Sequence, residues 1–256
     1  MLFSTRQLEG FKLDARDGEI GRVREVYFDD RHWVIRHLVV DTGGWLSGRK
    51  VLISPHSIER LDRDQQRLTV ALSRQQIEDA PGIDADKPVS RQHEIAFSDH
   101  YGYPYYWTGT GLWGAAAYPL TVGAMAVPQA EDGRARELSQ RAAQAEDAAA
   151  DPNLRSSKEV IGYHIEAGDG SIGHIEDFLF DERSWQIRQA VVDTRNWLPG
   201  RLVLVSPEAI ESVDWSARQV RVKLTREAVK ASPPYDRNAP LSGEGESALQ
   251  ARHERS

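Results

Sequence analysis

The groups in this chain able to do chemistry are eight histidines, several carboxylate and arginine pairs, and serines; there is no cysteine. Without a thiol, a disulfide framework, a thiolate metal site, a cysteine nucleophile and thiol redox sensing are excluded. No two histidines flank a glutamate at the i, i+4 spacing that puts two imidazoles on one helix face around a zinc ion. His32, His37, His100 and the His93-Glu94 pair stand singly, and the histidines, His56 among them, read as surface side chains. The second half of the chain has Ser184, Gln189 and Glu208 where the first has His32, His37 and His56. Asp17-Gly18 does not open a calcium loop, because Ala15 and Leu13 occupy the places where oxygen ligands are needed. Ser54 and Ser206 each precede a proline and read as strand-ending turns, and no G-x-S-x-G is present. Gly109-Thr110-Gly111-Leu112-Trp113-Gly114 matches G-x-G-x-x-G in letters only. No apolar strand precedes it and no amphipathic helix follows, so no helix N-terminus would meet a pyrophosphate. No catalytic residue, metal ligand set or cofactor is expected.

The polar residues that stand out are those that occur twice. Asp29, Arg36, Asp41, Arg49 and Glu59 recur 152 residues further on as Asp181, Arg188, Asp193, Arg201 and Glu211. They belong to a repeat that holds without a gap to about residue 84, in which roughly 33 of about 81 aligned positions are identical, far above chance. Asp29, Arg36, Asp41, Asp181, Arg188 and Asp193 read as structural ion pairs and turn contacts, since an active site seldom survives in both copies of a duplication. Trp45-Leu46 and Trp197-Leu198 lie in the loop before the fourth strand, beside Gly48-Arg49 and Gly200-Arg201. Trp45, Arg49, Trp197 and Arg201 are therefore the partner-binding candidates. Tryptophans folded back over a barrel mouth are the alternative.

The elements that must position these groups are strands. Phe11 to Ala15, Ile20 to Asp29, Trp33 to Val40, Val51 to Ile53, Ile58 to Leu61 and Leu68 to Leu72 carry the apolar patterns of six strands, with Asp17-Gly18 as a hairpin turn. Within Ile20 to Asp29 the apolar parity changes, from Val23 to Val26 and Phe28, and the second copy does the same. Such a switch predicts a bulge, as a small closed barrel needs. Ser73-Arg74-Gln75-Gln76 predicts a capping box ahead of a short helix ended by Pro81; Thr225 caps its counterpart without the box partner. The expected fold is all-β: two small barrels in tandem. The expected divisions are barrel 1 at residues 1–88, an aromatic and Ala/Glu/Arg segment at 89–154, barrel 2 at 155–235 and a disordered tail at 236–256.

The run Lys12-Leu13-Asp14, Asp17-Gly18, Ile20-Gly21-Arg22-Val23, Phe28-Asp29-Asp30, Trp33, Ile35-Arg36, Val39-Val40-Asp41-Thr42-Gly43 and Leu52-Ile53-Ser54-Pro55 resembles the PRC-barrel domain. That is the fold of the cytoplasmic part of the photosynthetic reaction centre H subunit and of the C-terminal domain of ribosome-maturation factors of the RimM type. The second copy carries the same signature, with Arg195-Asn196 in place of Gly43-Gly44. The resemblance implies a bacterial assembly or docking module with a protein partner, without enzymatic activity. Ribosome or RNA association and a peripheral role near photosynthetic or electron-transfer complexes are the alternatives. Neither the membrane helix of the one relative nor the separate RNA-processing barrel of the other is expected.

The formal charge of -7 argues against a nucleic-acid-binding field over the whole molecule, although Arg221, Lys223 and Arg226 point outward from the second copy. No basic region followed by an apolar run opens the chain, so a secretory leader is not expected. The location expected is cytoplasmic, with peripheral membrane contact as the alternative. Residues 99–130 hold seven tyrosines and tryptophans in an uncharged stretch, but Pro104, Pro119, Pro128 and several glycines argue against a membrane span and for an aromatic loop packed on the barrels. A contact in cis between the barrels about a pseudo-twofold axis is also expected.

Overall fold

The computed structural model describes residues 1–83, 89–120, 141, 154–194, 201–232 and 234–237. Most of the linker and tail, and Trp197, lie outside the described residues. The first repeat contributes strands β1 (Leu2–Ser4), β2 (Lys12–Ala15), β3 (Gly18–Asp29), β4 (Val34–Asp41), β5 (Lys50–Ile53), β6 (Ile58–Asp62) and β7 (Arg67–Val70). The second contributes β8 (Leu154–Ser156), β9 (His164–Ala167), β10 (Gly170–Asp181), β11 (Ile187–Asp193), β12 (Leu202–Val205), β13 (Ile210–Asp214) and β14 (Gln219–Val222). Among the described residues the helices are short: α1 (Thr5–Leu8), α2 (Arg74–Glu78), α3 (Arg91–Tyr101), α4 (Ser157–Val160) and α5 (Arg226–Ala231).

The protein is all-β, with two separate seven-stranded sheets of one topology. One runs β5-β4-β3-β2-β7-β6 and the other β12-β11-β10-β9-β14-β13. Pairing is antiparallel except for β2 with β7 and β9 with β14. The expected bulges are present at equivalent places. Register shifts fall between Val23 and Glu25 and between Tyr27 and Phe28 in β3, and between Ile175 and Asp177 and between Leu179 and Phe180 in β10. Each bulge bends its strand and turns the apolar residues on both sides of it inward. Leu13, Ile20, Val23, Val26, Phe28, Ile35, Leu38, Val40, Ile53, Leu68 and Val70 are buried in the first repeat, and their counterparts fill the second. A side chain of this kind contributes about 1.5–3 kcal/mol on burial. Gly21 and Gly173 pass so close to the facing strand that a Cβ would lie 2.0 Å from the Asp41 carbonyl oxygen and 1.9 Å from that of Asp193.

The seventh strand of each sheet comes from the other repeat. β1 pairs with β10, and β8 pairs with β3. One compact unit therefore comprises Met1–Arg6, Ser157–Glu182 and Gln186–Ser256; the other comprises Gln7–Ser156 and Arg183–Trp185. These limits differ from the consecutive ones expected at 1–88, 89–154 and 155–235. Leu2-Phe3-Ser4 and Leu154-Arg155-Ser156 share the residues that fit this edge, and residues 89–120 fold with the first repeat. The seating is equivalent in the two sheets. Ser4 Oγ donates to Asp177 at 2.5 Å, and Ser156 Oγ donates to Glu25, the residue at the equivalent position.

Candidate functional site

Arg36 is the extra residue of a bulge in β4: His37 pairs with Tyr27, but Ile35 already pairs with Phe28. The bulge breaks the alternation of the strand, so the consecutive Arg36 and His37 line one chamber with His56, Glu94, Tyr106 and Trp113. The last three come from the segment between the repeats. There α3 is capped ahead of Arg91 by Ser90, whose hydroxyl accepts from the His93 amide, and after Tyr101 by Gly102, held at φ 70° in the left-handed region. Phe97 and Tyr103, with Val89, cover the outer face of the sheet over Tyr27, Val39, Leu52 and Leu154.

Two buried ion pairs fasten this cover. Arg36 donates through Nε and Nη2 to Asp29 Oδ2 at 3.2 and 2.5 Å and through Nη1 to the Leu112 carbonyl at 2.5 Å. Its guanidinium carbon lies 3.7 Å from the centre of the Tyr106 ring. Arg91 donates to Glu94 Oε2 at 2.7 Å and to the Tyr106 hydroxyl at 3.0 Å, and that hydroxyl donates to Glu94 Oε1 at 2.7 Å. Burial alone would raise the Asp29 carboxyl, but the Arg36 charge and hydrogen bonds and the His32 amide hold it below the ordinary carboxylate value. Burial, with the nearby Glu94 carboxylate, pushes the Tyr106 phenol well up. The charges in this chamber are spent on one another, so the arrangement acts as a clasp between strand and cover.

His37 and His56 are buried, not on the surface as expected, because α3 and the aromatic turn lie over them. His56 Nδ1 lies 3.0 Å from the Leu120 carbonyl oxygen, and its ring stacks on Tyr103. Burial holds the His56 imidazole down at about 4. His37 sits edge-on to Phe97, with Nε2 3.8 Å from Glu94 Oε1. His32 and His100 are exposed, as expected.

Of the predicted polar pairs, Asp29 and Arg36 form one. Asp181 and Arg188 do not. Asp181 lies 3.5 Å from the N-terminal ammonium, and Arg188 is half-buried. Asp41 pairs with Arg24 at 2.7 Å, whereas buried Asp193 lies 3.9 Å from His174. Arg49 donates to the carbonyls of Glu78 and Ala80 at 3.1 and 2.5 Å, closing the end of α2. Arg201 does the same for α5 through the carbonyls of Lys230 and Ser232 at 2.9 and 3.1 Å. Both arginines thus hold the end of the helix that follows their repeat. Trp45 is half-buried, with the Arg74 guanidinium 4.4 Å from its ring centre. The sequence reading missed Arg74. Its signal was recurrence, since Arg226 stands at the same place in the second repeat. It also missed Arg91 and Glu94, whose only signal was their i, i+3 spacing.

The Gly109–Gly114 run is a tight backbone crossing. Gly111 pairs with Gly114 and Trp113 with Ala116. A Cβ on Gly109 would meet the backbone of Gly114 at 2.2 Å, which explains the glycine without a phosphate. Among the described residues, no helix is long and apolar enough to cross a membrane.

Compared with known families, residues 2–76 match the PRC-barrel domain. No curated protein matches the chain. The matched span begins with β1, the strand that lies in the second repeat's sheet; β8 occupies its place beside β3.

Proposed function

We propose that this protein is a non-enzymatic docking or assembly module whose two repeats bind a protein partner. The PRC-barrel domain at residues 2–76 is a general protein-interaction module. The observation that carries the reading further is the turn around Trp45. Thr42 Oγ1 donates to the Arg49 carbonyl at 2.7 Å, the Gly48 amide donates to the Gly43 carbonyl at 2.6 Å, and Arg49 ties the turn to α2. A half-exposed tryptophan on so constrained a turn, backed by the Arg74 cation, is preorganised as a contact. It loses little freedom on binding. On this reading Trp45 and Trp197 touch the partner, and Arg49 holds the turn that presents Trp45.

The test is affinity capture on the immobilised full chain, read by mass spectrometry, with Trp45→Ala beside the wild type. A protein retained by the wild type and depleted at least about tenfold by the variant supports the proposal. Retention of nothing above bare resin, or turnover in a metabolite screen, overturns it. Salt-sensitive retention of ribosomal particles, or flotation with liposomes, would replace it with the RNA or the membrane alternative.

A further inference from the structure

We propose that His174, Glu176 and Asp193 of the second repeat bind a divalent transition-metal ion, with zinc as the first choice. His174 and Asp193 are direct partners across the β10–β11 ladder, and Glu176 is the bulge residue two places along β10. The three therefore project from one side of the sheet. His174 Nε2 lies 3.9 Å from Glu176 Oε2 and 3.9 Å from Asp193 Oδ2, and the three ligand atoms lie within 4.8 Å of one another. These gaps are too long for hydrogen bonds. Tetrahedral zinc, with bonds of about 2.0–2.2 Å to nitrogen and oxygen, would bring such atoms to about 3.5 Å apart, a contraction that side-chain rotation supplies.

The surroundings suit a metal. Asp193 is buried at the floor, while His174 is partly exposed at the rim and leaves a way in. Arg6 and Arg237 both donate to Glu176 Oε1, at 2.7 and 2.6 Å, and the second oxygen, Oε2, is the one nearer His174. Partners that orient a ligating carboxylate in this way are the usual outer shell of a metal site. One imidazole with two carboxylates suits zinc or manganese.

An independent observation comes from the first repeat. The equivalent positions hold Arg22, Arg24 and Asp41, and the Arg24 guanidinium binds Asp41 Oδ2 through Nε at 3.1 Å and Nη2 at 2.7 Å. There the cation beside the aspartate is part of the chain. In the second repeat Glu176 stands in place of that arginine and His174 in place of Arg22, so the same place offers a carboxylate and an imidazole beside Asp193. The ligands come from two strands, which is why no linear spacing in the sequence shows them.

The experiment is isothermal titration of the metal-free full chain with Zn²⁺ and, separately, Mn²⁺, with Co²⁺ absorption as a report on the ligand set. The wild type is expected to bind one ion that His174→Ala, Glu176→Gln and Asp193→Asn each weaken at least about tenfold, with loss of the Co²⁺ band. Arg22→His with Arg24→Glu in the first repeat is expected to raise the stoichiometry from one to two. Metal-free melting curves check each variant. If Asp193→Asn does not fold, the partly exposed His174 decides through His174→Ala. No binding by the wild type, or binding that His174→Ala leaves unchanged because ions sit on other histidines, overturns the proposal.

Discussion

The two repeats share topology, bulge positions and the arginine that closes the following helix, yet the outer faces of their sheets have different covers. Over Tyr27, Val39 and Leu52 lie Phe97, Tyr103 and Val89 of the segment that follows the first repeat. Over Leu179, Val191 and Leu204 the described packing partners are Leu202 and Tyr235. The cover changes the chemistry beneath it. Asp29 and Arg36 form a buried pair against the Tyr106 and Trp113 rings, while the identical Asp181 and Arg188 do not pair with each other. An identical residue in a duplicated fold thus fixes its place in the ladder but not its partner. The partner depends on what the neighbouring chain brings over it.

The sharpest way to break this comparison is at the clasp. Arg36→Met leaves Asp29 buried without its cation and is expected to cost about 3–5 kcal/mol in urea unfolding. Arg188→Met removes no such pair and is expected to cost under about 1 kcal/mol. Equal costs would mean that the cover does not create the difference.

A pH scan gives the next largest effect. His56 has an ordinary value of 6.5 unfolded and about 4 folded, so the unfolded chain binds more protons between those values. The first repeat is therefore most stable above pH 6.5. It should lose on the order of 3 kcal/mol as pH falls toward 4. His56→Gln, which cannot take up the proton, should flatten that part of the profile in chemical denaturation.

The smallest expected effect tests where the repeats agree. Asp17 Oδ1 accepts from the Arg74 amide at 2.8 Å, and Asp169 Oδ1 accepts from the Arg226 amide at 2.9 Å, each tying a hairpin turn to the first residue of a helix. Asp17→Ala and Asp169→Ala should each cost about 1 kcal/mol, and equally, by thermal melting. A marked inequality would show that the helices following the two repeats are not equivalent.

Much of this was legible in the chain. The capping box at Ser73 and Gln76 and the boxless cap at Thr225 are present as read, because they depend on contacts only three residues apart. The bulges were legible because apolar parity records which face a residue must take. The clasp was not. Arg91, Glu94, Tyr106 and Trp113 look like an unremarkable charged turn and an aromatic run until α3 brings them onto β4. His37 and His56 looked like surface residues for the same reason.

The sequence by itself determined the repeat unit, the six apolar-patterned strands of each copy with the bulge in the second of them, and the caps of the short helices. All of these follow from local periodicity and short-range hydrogen bonds, which each copy carries complete. Only the tertiary structure decided which sheet takes β1 and which takes β8, which arginine finds its aspartate, and where one histidine and two carboxylates converge. Leu2-Phe3-Ser4 and Leu154-Arg155-Ser156 can satisfy the same edge, so local energy does not choose between them. The choice depends on contacts between residues more than 100 positions apart in the chain, such as Ser4 with Asp177 and Ser156 with Glu25.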